Sequence, residues 1–270
     1  MGYSLIDQHP CLSQRMPRDV FTRGVSPVAW LPNLSRELGL DVWVKDDSRH
    51  GQPYGGNKAR KLELILADAR RVGADSVVTF GATRSHHALA TAIYARLAGV
   101  HAMLVVTDSF GNDPDGTHVA RLRDLGATVL QTRTLVGAVL RTLAVTLLPR
   151  GARPYVIPPG ASMPLGTLGY VNAGLELAAQ VAAGELPEPA RIYVALGSGG
   201  TTAGLLLGLR LAGLRSQLCP VMVTRMGGRT AGLWVSWLAN RAVDSDGLPK
   251  PSRLTGWHWI WHVRNLKFGS

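Results

Sequence analysis

Cysteine is almost absent from this 270-residue sequence: Cys11 and Cys219 stand far apart, with no CxxC spacing. Neither a disulfide framework nor a zinc knuckle is expected, and a reducing cytoplasm is the natural compartment. Unbroken apolar runs are lacking too. Asp7, Gln8 and His9 interrupt the N-terminus, and Arg141 and Arg210 interrupt the most apolar helical stretches, so neither export nor membrane spanning is expected. Acidic residues are the scarcer charge, 18 against 29 Lys and Arg, which leaves a net charge of +11. Clustered cations of that number would supply phosphate contacts to a nucleic acid. Here they are not clustered. Residues 1–220 hold 22 basic and 16 acidic side chains, scattered along helices, and the last 50 residues hold 7 and 2, without a basic stripe interleaved with aromatics. Nucleic-acid binding is therefore not expected. What remains is a globular chain, 46% hydrophobic, able to bury one large core or two small ones.

The hydrophobic pattern alternates between short apolar strands and longer helical stretches. Strands are predicted at 41–46, 76–80, 101–106, 127–131, 155–158, 192–196 and 220–224. Helices are predicted at 58–72, 85–98, 115–125, 165–183 and 201–211, and glycine follows each of them, at Gly73, Gly99, Gly126, Gly184 and Gly213. Short β-branched strands alternating with helices predict an α/β fold, a parallel sheet with helices on both faces. In such folds ligands bind at the carboxyl ends of the strands, so the loops there carry the chemistry.

Three of those loops stand out. Gly197-Ser198-Gly199-Gly200-Thr201-Thr202-Ala203-Gly204 opens a helix, and its amides, hydroxyls and helix N-terminus suit a phosphate better than a plain turn requires. A dinucleotide is excluded, because the sixth position of the G-x-G-x-x-G fingerprint is Thr202 and no acid occurs between Gly204 and Asp244. A Walker A motif is excluded because no Gly-Lys-Ser/Thr follows. The second loop, Tyr54-Gly55-Gly56-Asn57-Lys58, puts a lysine in the first turn of a helix, where the dipole favours a neutral amine. A solvated surface lysine is the ordinary alternative, and the flanking glycines, which permit close backbone approach, weigh against it. In the third loop, Gly81-Ala82-Thr83-Arg84-Ser85-His86-His87, Ser85 is either an N-cap or part of a site for a carboxylate. His86 and His87 are adjacent and point about 100° apart on a helix, so they do not share a metal. His258 and His262 have i, i+4 spacing but lack the Glu of H-E-x-x-H, and no metal site is expected.

Together these loops resemble the fold type II, tryptophan-synthase-like, pyridoxal-phosphate enzymes, in the branch of 1-aminocyclopropane-1-carboxylate deaminase and D-cysteine desulfhydrase. The resemblance covers residues 15–224. It rests on Lys45-Asp46-Asp47, on Gly55-Gly56-Asn57-Lys58 with Arg60-Lys61-Leu62-Glu63, on Gly81 through Ala88, on Pro159-Gly160-Ala161-Ser162 with Leu165-Gly166, and on Ala195 through Gly204. It implies two three-layer parallel-sheet domains with pyridoxal 5'-phosphate between them: 1–59 with 160–224 as the larger, 60–159 as the smaller. It implies Lys58 and Ser85 as catalytic residues, with Lys58 holding the cofactor covalently and moving the Cα proton. Asn57, His86 and Gly197, Ser198, Gly199, Gly200 and Thr201 would bind the cofactor, and Ser85, His86 and His87 the substrate, a small amino acid. A homodimer is also implied. The family loop often reads Gln-Ser-Asn-His, so His86 is a departure that changes shape and possible charge at the substrate end.

A second departure follows Thr224. Residues 225–270 hold five of the seven tryptophans without strand or helix periodicity, and nothing there matches the family's later tyrosine or its partner for the pyridine nitrogen. This atypical segment has the composition shift of a frameshifted, truncated or degraded end. The resemblance implies β-elimination from a D-cysteine-like substrate, with cyclopropane ring opening or a non-catalytic remnant as the other readings.

Overall fold

The computed structural model describes residues 5–6, 16–110, 113–147, 153–223 and Trp237. Along the chain lie β1 (Val28–Trp30), α1 (Pro32–Leu38), β2 (Trp43–Lys45), α2 (Asn57–Arg71), β3 (Ser76–Ala82), α3 (His86–Leu97), β4 (His101–Thr107) and α4 (Thr117–Asp124). They are followed by β5 (Thr128–Thr132), α5 (Leu135–Leu147), β6 (Pro154–Ile157), α6 (Pro164–Ala182), β7 (Arg191–Leu196), α7 (Gly200–Leu211) and β8 (Gln217–Met222). Four parallel strands form one sheet in the order β5-β4-β3-β6, and β7 and β8 form a separate parallel pair. Such connections require crossover helices, which the alternating pattern supplies.

Three details depart from the sequence pattern. The strand expected at 41–46 shortens to β2 and pairs antiparallel with β1, not with a parallel sheet. The strand expected at 220–224 begins at Gln217, because its ladder to β7 runs from Arg191 opposite Gln217 to Leu196 opposite Met222. Pro220 fits there because, among the described residues, β8 pairs with β7 alone and its missing N–H interrupts no second ladder. Finally, α5 forms where no helix boundary was evident. Thr134 starts it, its hydroxyl accepting from the Gly137 amide at 3.0 Å.

Helix α2 decides where the functional loops meet. Its apolar residues serve two cores at once: Leu62, Ile65 and Leu66 pack with Tyr94 and Leu104 near the four-stranded sheet, while Leu64 packs with Leu168, Val171 and Leu207 of α6 and α7. Backbone proximity fixes the seam. A Cβ on Gly169 of α6 would lie 2.3 Å from the Arg60 carbonyl oxygen, so glycine is what lets α6 approach α2. Helices α6 and α7 meet the same way, at Gly174 and Gly208. The C-terminus of α2 turns at Gly73, whose φ of +73° is the left-handed conformation glycine adopts without strain. Among the described residues no helix is long and apolar enough to cross a membrane.

Candidate active site

The N-terminus of α2 carries the lysine loop. Gly55 presses its backbone against Ser48, where any Cβ would overlap the carbonyl, and Gly56 takes φ +97°, so the loop is closed to other residues. Lys58 follows in the first turn. Its Nζ donates to Asn57 Oδ1 at 2.8 Å, and Asn57 Nδ2 donates to Thr201 Oγ1 at 3.2 Å, so the lysine loop and the glycine-rich loop are joined directly. Burial brings the Lys58 amine down to about 8. At neutral pH roughly one such amine in ten is unprotonated, against a few in ten thousand for an ordinary lysine.

At the N-terminus of α7, Gly199 has φ +89° and Gly200 begins the helix. A Cβ on Gly200 would stand 2.8 Å from Ser162 Oγ and 2.9 Å from Lys61 Nζ, so three segments converge on one point. The Gly200 amide donates to Ser162 Oγ at 3.1 Å, and the hydroxyls of Ser162 and Ser198 lie 2.7 Å apart. Lys61 Nζ is buried and donates to the Gly160 carbonyl at 3.2 Å. Among the described residues no carboxylate acts on it. Burial first, and the neighbouring Lys58 charge second, bring its pKa well below the ordinary lysine range. A buried amine that lacks a counter-charge among the described residues, beside a helix N-terminus and serine hydroxyls, is an arrangement whose protonated form an anion would restore. These residues fit a phosphate. Lys61 and Ser162 were quoted above only as parts of motifs. The i, i+3 spacing of Lys58 and Lys61 on one apolar helix was the available signal, since it puts both amines on one face.

The third loop lies against the same region. Ser85 caps α3, its Oγ accepting from the Ala88 amide at 3.3 Å. His86 is exposed and turns toward the lysine loop, with Nδ1 2.5 Å from the Tyr54 hydroxyl. His87 turns inward. Its Nε2 meets Thr79 Oγ1 at 3.0 Å, whereas the buried Nδ1 has no partner among the described residues. Burial, then the charges of Lys58 and Lys61, bring its imidazole down to about 3. The structure thus brings Asn57, Lys58, Ser198, Gly200 and Thr201 together by direct contact. His87 is linked to them through the field of the two lysines, and His86 is linked through Tyr54. His258 and His262 lie outside the described residues, as do residues 225–236 and 238–270 of the atypical segment.

A pH prediction follows from His87. The unfolded imidazole titrates near 6.5 and the folded one near 3, so between these values the unfolded chain binds the extra proton. His87 therefore contributes full stability above pH 6.5 and loses it as pH falls through that window, by at most about 1.4 kcal/mol per pH unit. Urea midpoints compared at about pH 7 and about pH 5 are expected to fall further for the wild type than for His87→Gln. Equal falls would contradict the assignment.

Parallel strands, crossover helices and an amine poised beside an anion cradle define a cofactor-dependent α/β enzyme site. The family profile described as pyridoxal-phosphate dependent enzyme matches residues 21–245, and the chain belongs to that family. Among curated relatives, a Pyrococcus horikoshii protein provisionally named a 1-aminocyclopropane-1-carboxylate deaminase is 39% identical over 219 residues, 79% of this chain and 65% of the relative. The D-cysteine desulfhydrase of Salmonella typhimurium is 39% identical over 217 residues, 78% of this chain and 66% of its own. The chain thus covers just under two thirds of these relatives' length. A solved structure of an ACC deaminase homologue superposes with a TM-score of 0.79 at 33% identity, over 94% of this chain and 75% of that one. A fungal L-serine ammonia-lyase from Rhizomucor miehei shares the fold, with a TM-score of 0.63 at 22% identity over 79% of this chain and 64% of its own.

Proposed function

We propose that this chain forms the cofactor site of a pyridoxal-phosphate lyase or deaminase acting on a small amino acid. The favoured reaction is D-cysteine desulfhydrase-like β-elimination, which consumes water and yields a 2-oxo acid, ammonia and sulfide. The observation that carries the reading is the Lys58 amine, depressed by burial, bonded to Asn57 and joined through Thr201 to a cradle containing a buried Lys61 that has no acidic partner among the described residues.

When bound, the cofactor supplies an electron sink for the bonds at Cα. The residues supply the rest. Lys58 would hold the cofactor and, as a neutral amine, would take the Cα proton. Asn57 keeps that amine aimed, and its link to Thr201 fixes the distance between the covalent anchor and the phosphate end. Gly197, Ser198, Gly199, Gly200 and Thr201, with Lys61 and Ser162, would hold the phosphate. Ser85 and the amides after it receive the substrate carboxylate, with His86 and His87 alongside. The reading places the enzyme in the cytoplasm as a homodimer, in keeping with its two cysteines. It divides the chain into 1–59 with 160–224 and 60–159, in keeping with the two separate parallel sheets.

A sulfide-release assay on the cofactor-loaded protein tests the reaction. Sulfide from D-cysteine supports elimination, whereas release of a 2-oxo acid and ammonia from 1-aminocyclopropane-1-carboxylate alone would transfer the site to ring opening. Absence of both, in a folded protein that still binds the cofactor, would make the chain a non-catalytic remnant.

Lys61 gives an effect of opposite sign on binding and on stability. Lys61→Met is expected to weaken cofactor binding about 10- to 100-fold, the loss of one charge-assisted contact. It is also expected to raise the urea midpoint of the cofactor-free protein near neutral pH, because folding then no longer has to strip the proton from a buried lysine. Fluorescence titration with the cofactor and urea melts measure the two. A variant that loses stability as well as affinity would make Lys61 a packing residue.

A further inference from the structure

Tyr54 stands just before the glycines of the lysine loop and has no part in the chemistry described above. Its side chain is partly buried against the core beside the four-stranded sheet, and its carbonyl accepts from the hydroxyl of Tyr94, whose ring stacks on Phe21 at 4.6 Å. The phenol is therefore held from behind and reaches across to the third loop. There its hydroxyl lies 2.5 Å from His86 Nδ1. The two ring centroids are 6.4 Å apart and the planes differ by 20°. A straight line from ring to ring through the hydrogen bond spans that separation, so the hydroxyl meets the in-plane lone pair of Nδ1 and not the ring face.

The direction of this bond follows from its surroundings. Among the described residues it is the only hydrogen bond of either side chain, which leaves Nδ1 as the acceptor for the phenol proton. Burial raises the phenol above its ordinary range against the opposing charge of Arg121, so it keeps that proton. A neutral imidazole that accepts at Nδ1 carries its own proton at Nε2. His86 is exposed, so that N–H is open to a ligand, and Arg121 adds positive potential at the same place.

We propose that Tyr54 is a positioning residue for the substrate: its hydroxyl fixes the tautomer and ring orientation of His86, so that Nε2–H becomes a preset donor for the carboxylate of the amino acid. The proposal rests on the functional reading above, in which that carboxylate is received at Ser85, the residue before His86. An amide side chain at position 86 would offer an N–H unaided. An imidazole offers a donor or an acceptor, and something must decide which. Tyr54 decides it from a ring that is already packed, so little further ordering is needed when the substrate binds.

Nitrogen-15 spectra of the imidazoles in the full chain, taken at a pH above the ordinary titration range of histidine, test the tautomer, and His86→Asn assigns the signal by its loss. In the wild type, His86 Nδ1 is expected to be unprotonated and hydrogen-bonded and Nε2 protonated. Tyr54→Phe keeps the packed ring and removes only the hydroxyl. It is expected to return the Nδ1 signal to its free position and to mix the tautomers. Binding of alanine, an amino acid without a leaving group at Cβ, to the cofactor-loaded protein tests the consequence through the visible absorbance of the cofactor. Tyr54→Phe is expected to raise the Kd for alanine about 10-fold, as for one ordered hydrogen bond to a charged group, and to leave the Kd for the cofactor within about twofold. With His86→Asn already present, adding Tyr54→Phe is expected to change the alanine Kd by less than about twofold, because the amide needs no tautomer partner. A protonated Nδ1 in the wild type, or spectra that Tyr54→Phe leaves unchanged, would overturn the role of Tyr54 and leave the functional reading standing. Equal losses of alanine binding in the two backgrounds would make Tyr54 a packing residue. A loaded wild type that binds neither hand of alanine would overturn the carboxylate role together with the functional reading.

Discussion

Lys58→Ala should leave a folded protein that takes up pyridoxal phosphate without retaining it covalently. Borohydride reduction followed by peptide mass analysis should find the added mass on Lys58 in the wild type and nowhere in the variant. Turnover should fall by about 10³-fold or more, since the same amine both anchors the cofactor and moves the Cα proton. The magnitude follows from the environment. Burial holds the Lys58 amine near 8, so a large neutral fraction exists at physiological pH without a carboxylate to hold it charged. Lys58→Arg should be as inactive as the alanine variant, because a guanidinium stays protonated. Retained turnover in either variant would remove Lys58 from the chemistry. An adduct on Lys61 instead would move the anchor by one turn of α2.

Arg60→Met should cost about 3–5 kcal/mol of folding free energy, read from urea or guanidinium melts, the largest loss expected of any single substitution outside the site. Arg60 is 2% exposed and holds two acids that come from distant parts of the chain. Its Nη1 lies 2.7 Å from Glu176 on α6, and its Nη2 lies 2.8 Å from Asp47 in the loop after β2. Glu176 also accepts from Lys45 at 2.8 Å, and Asp47 from the Tyr170 hydroxyl at 2.6 Å. Burial pushes the Asp47 carboxyl up, but the Arg60 guanidinium and these hydrogen bonds outweigh it and bring the group down to about 2. Asp47 thus stabilises the fold at pH values above its ordinary 3.8, and that contribution is lost as pH falls through about 2. Without Arg60, Asp47 would face burial with only the Tyr170 and Ser26 hydroxyls to hold its charge. The acid limb of stability should therefore move to higher pH in Arg60→Met. Arg60→Lys should recover part of the loss, since one ammonium cannot reach both acids with forked geometry. A loss below about 1 kcal/mol would place the network at a solvated surface, contrary to its burial.

The two substitutions separate residues that look alike in the sequence. Lys58, Arg60, Lys61 and Glu63 stand within six positions of one helix, and their charges gave no hint that they divide into chemistry and scaffold. Glu63 accepts from the amides of Phe21 and Thr22 at 2.8 and 2.7 Å and pairs with Arg18, so it ties an earlier segment onto α2. Arg60 ties α2 to α6. Among the described residues Lys58 and Lys61 have no such partner acid, and that lack is what supports a ligand role for them.

The adjacent histidines show the same limit. Helical geometry fixes them about 100° apart whatever the fold. Which one faces the core depends on Thr79 of β3, which receives His87, and on Tyr54, which meets His86. Likewise the apolar stretch around Arg141 gives no helix boundary in the sequence, yet it forms α5. Its burial on one face alone becomes visible only when the sheet beneath it is seen to accept Ala138 and Thr142 and nothing larger.

By itself the sequence determined the alternation of strands and helices, the glycine-rich openings of α2 and α7, and Lys58 as the amine to watch, because periodicity, turn chemistry and helix-start signals are local. The tertiary structure alone decided that Lys61 and Ser162 converge with Gly200, that Asn57 reaches Thr201 across 144 residues, and that Arg60 is scaffold. These facts depend on helix crossings set by Gly169, Gly174 and Gly208, where backbones approach more closely than any side chain allows. The sequence can name Lys58, but its chemistry comes from the packing of chain segments more than a hundred residues away.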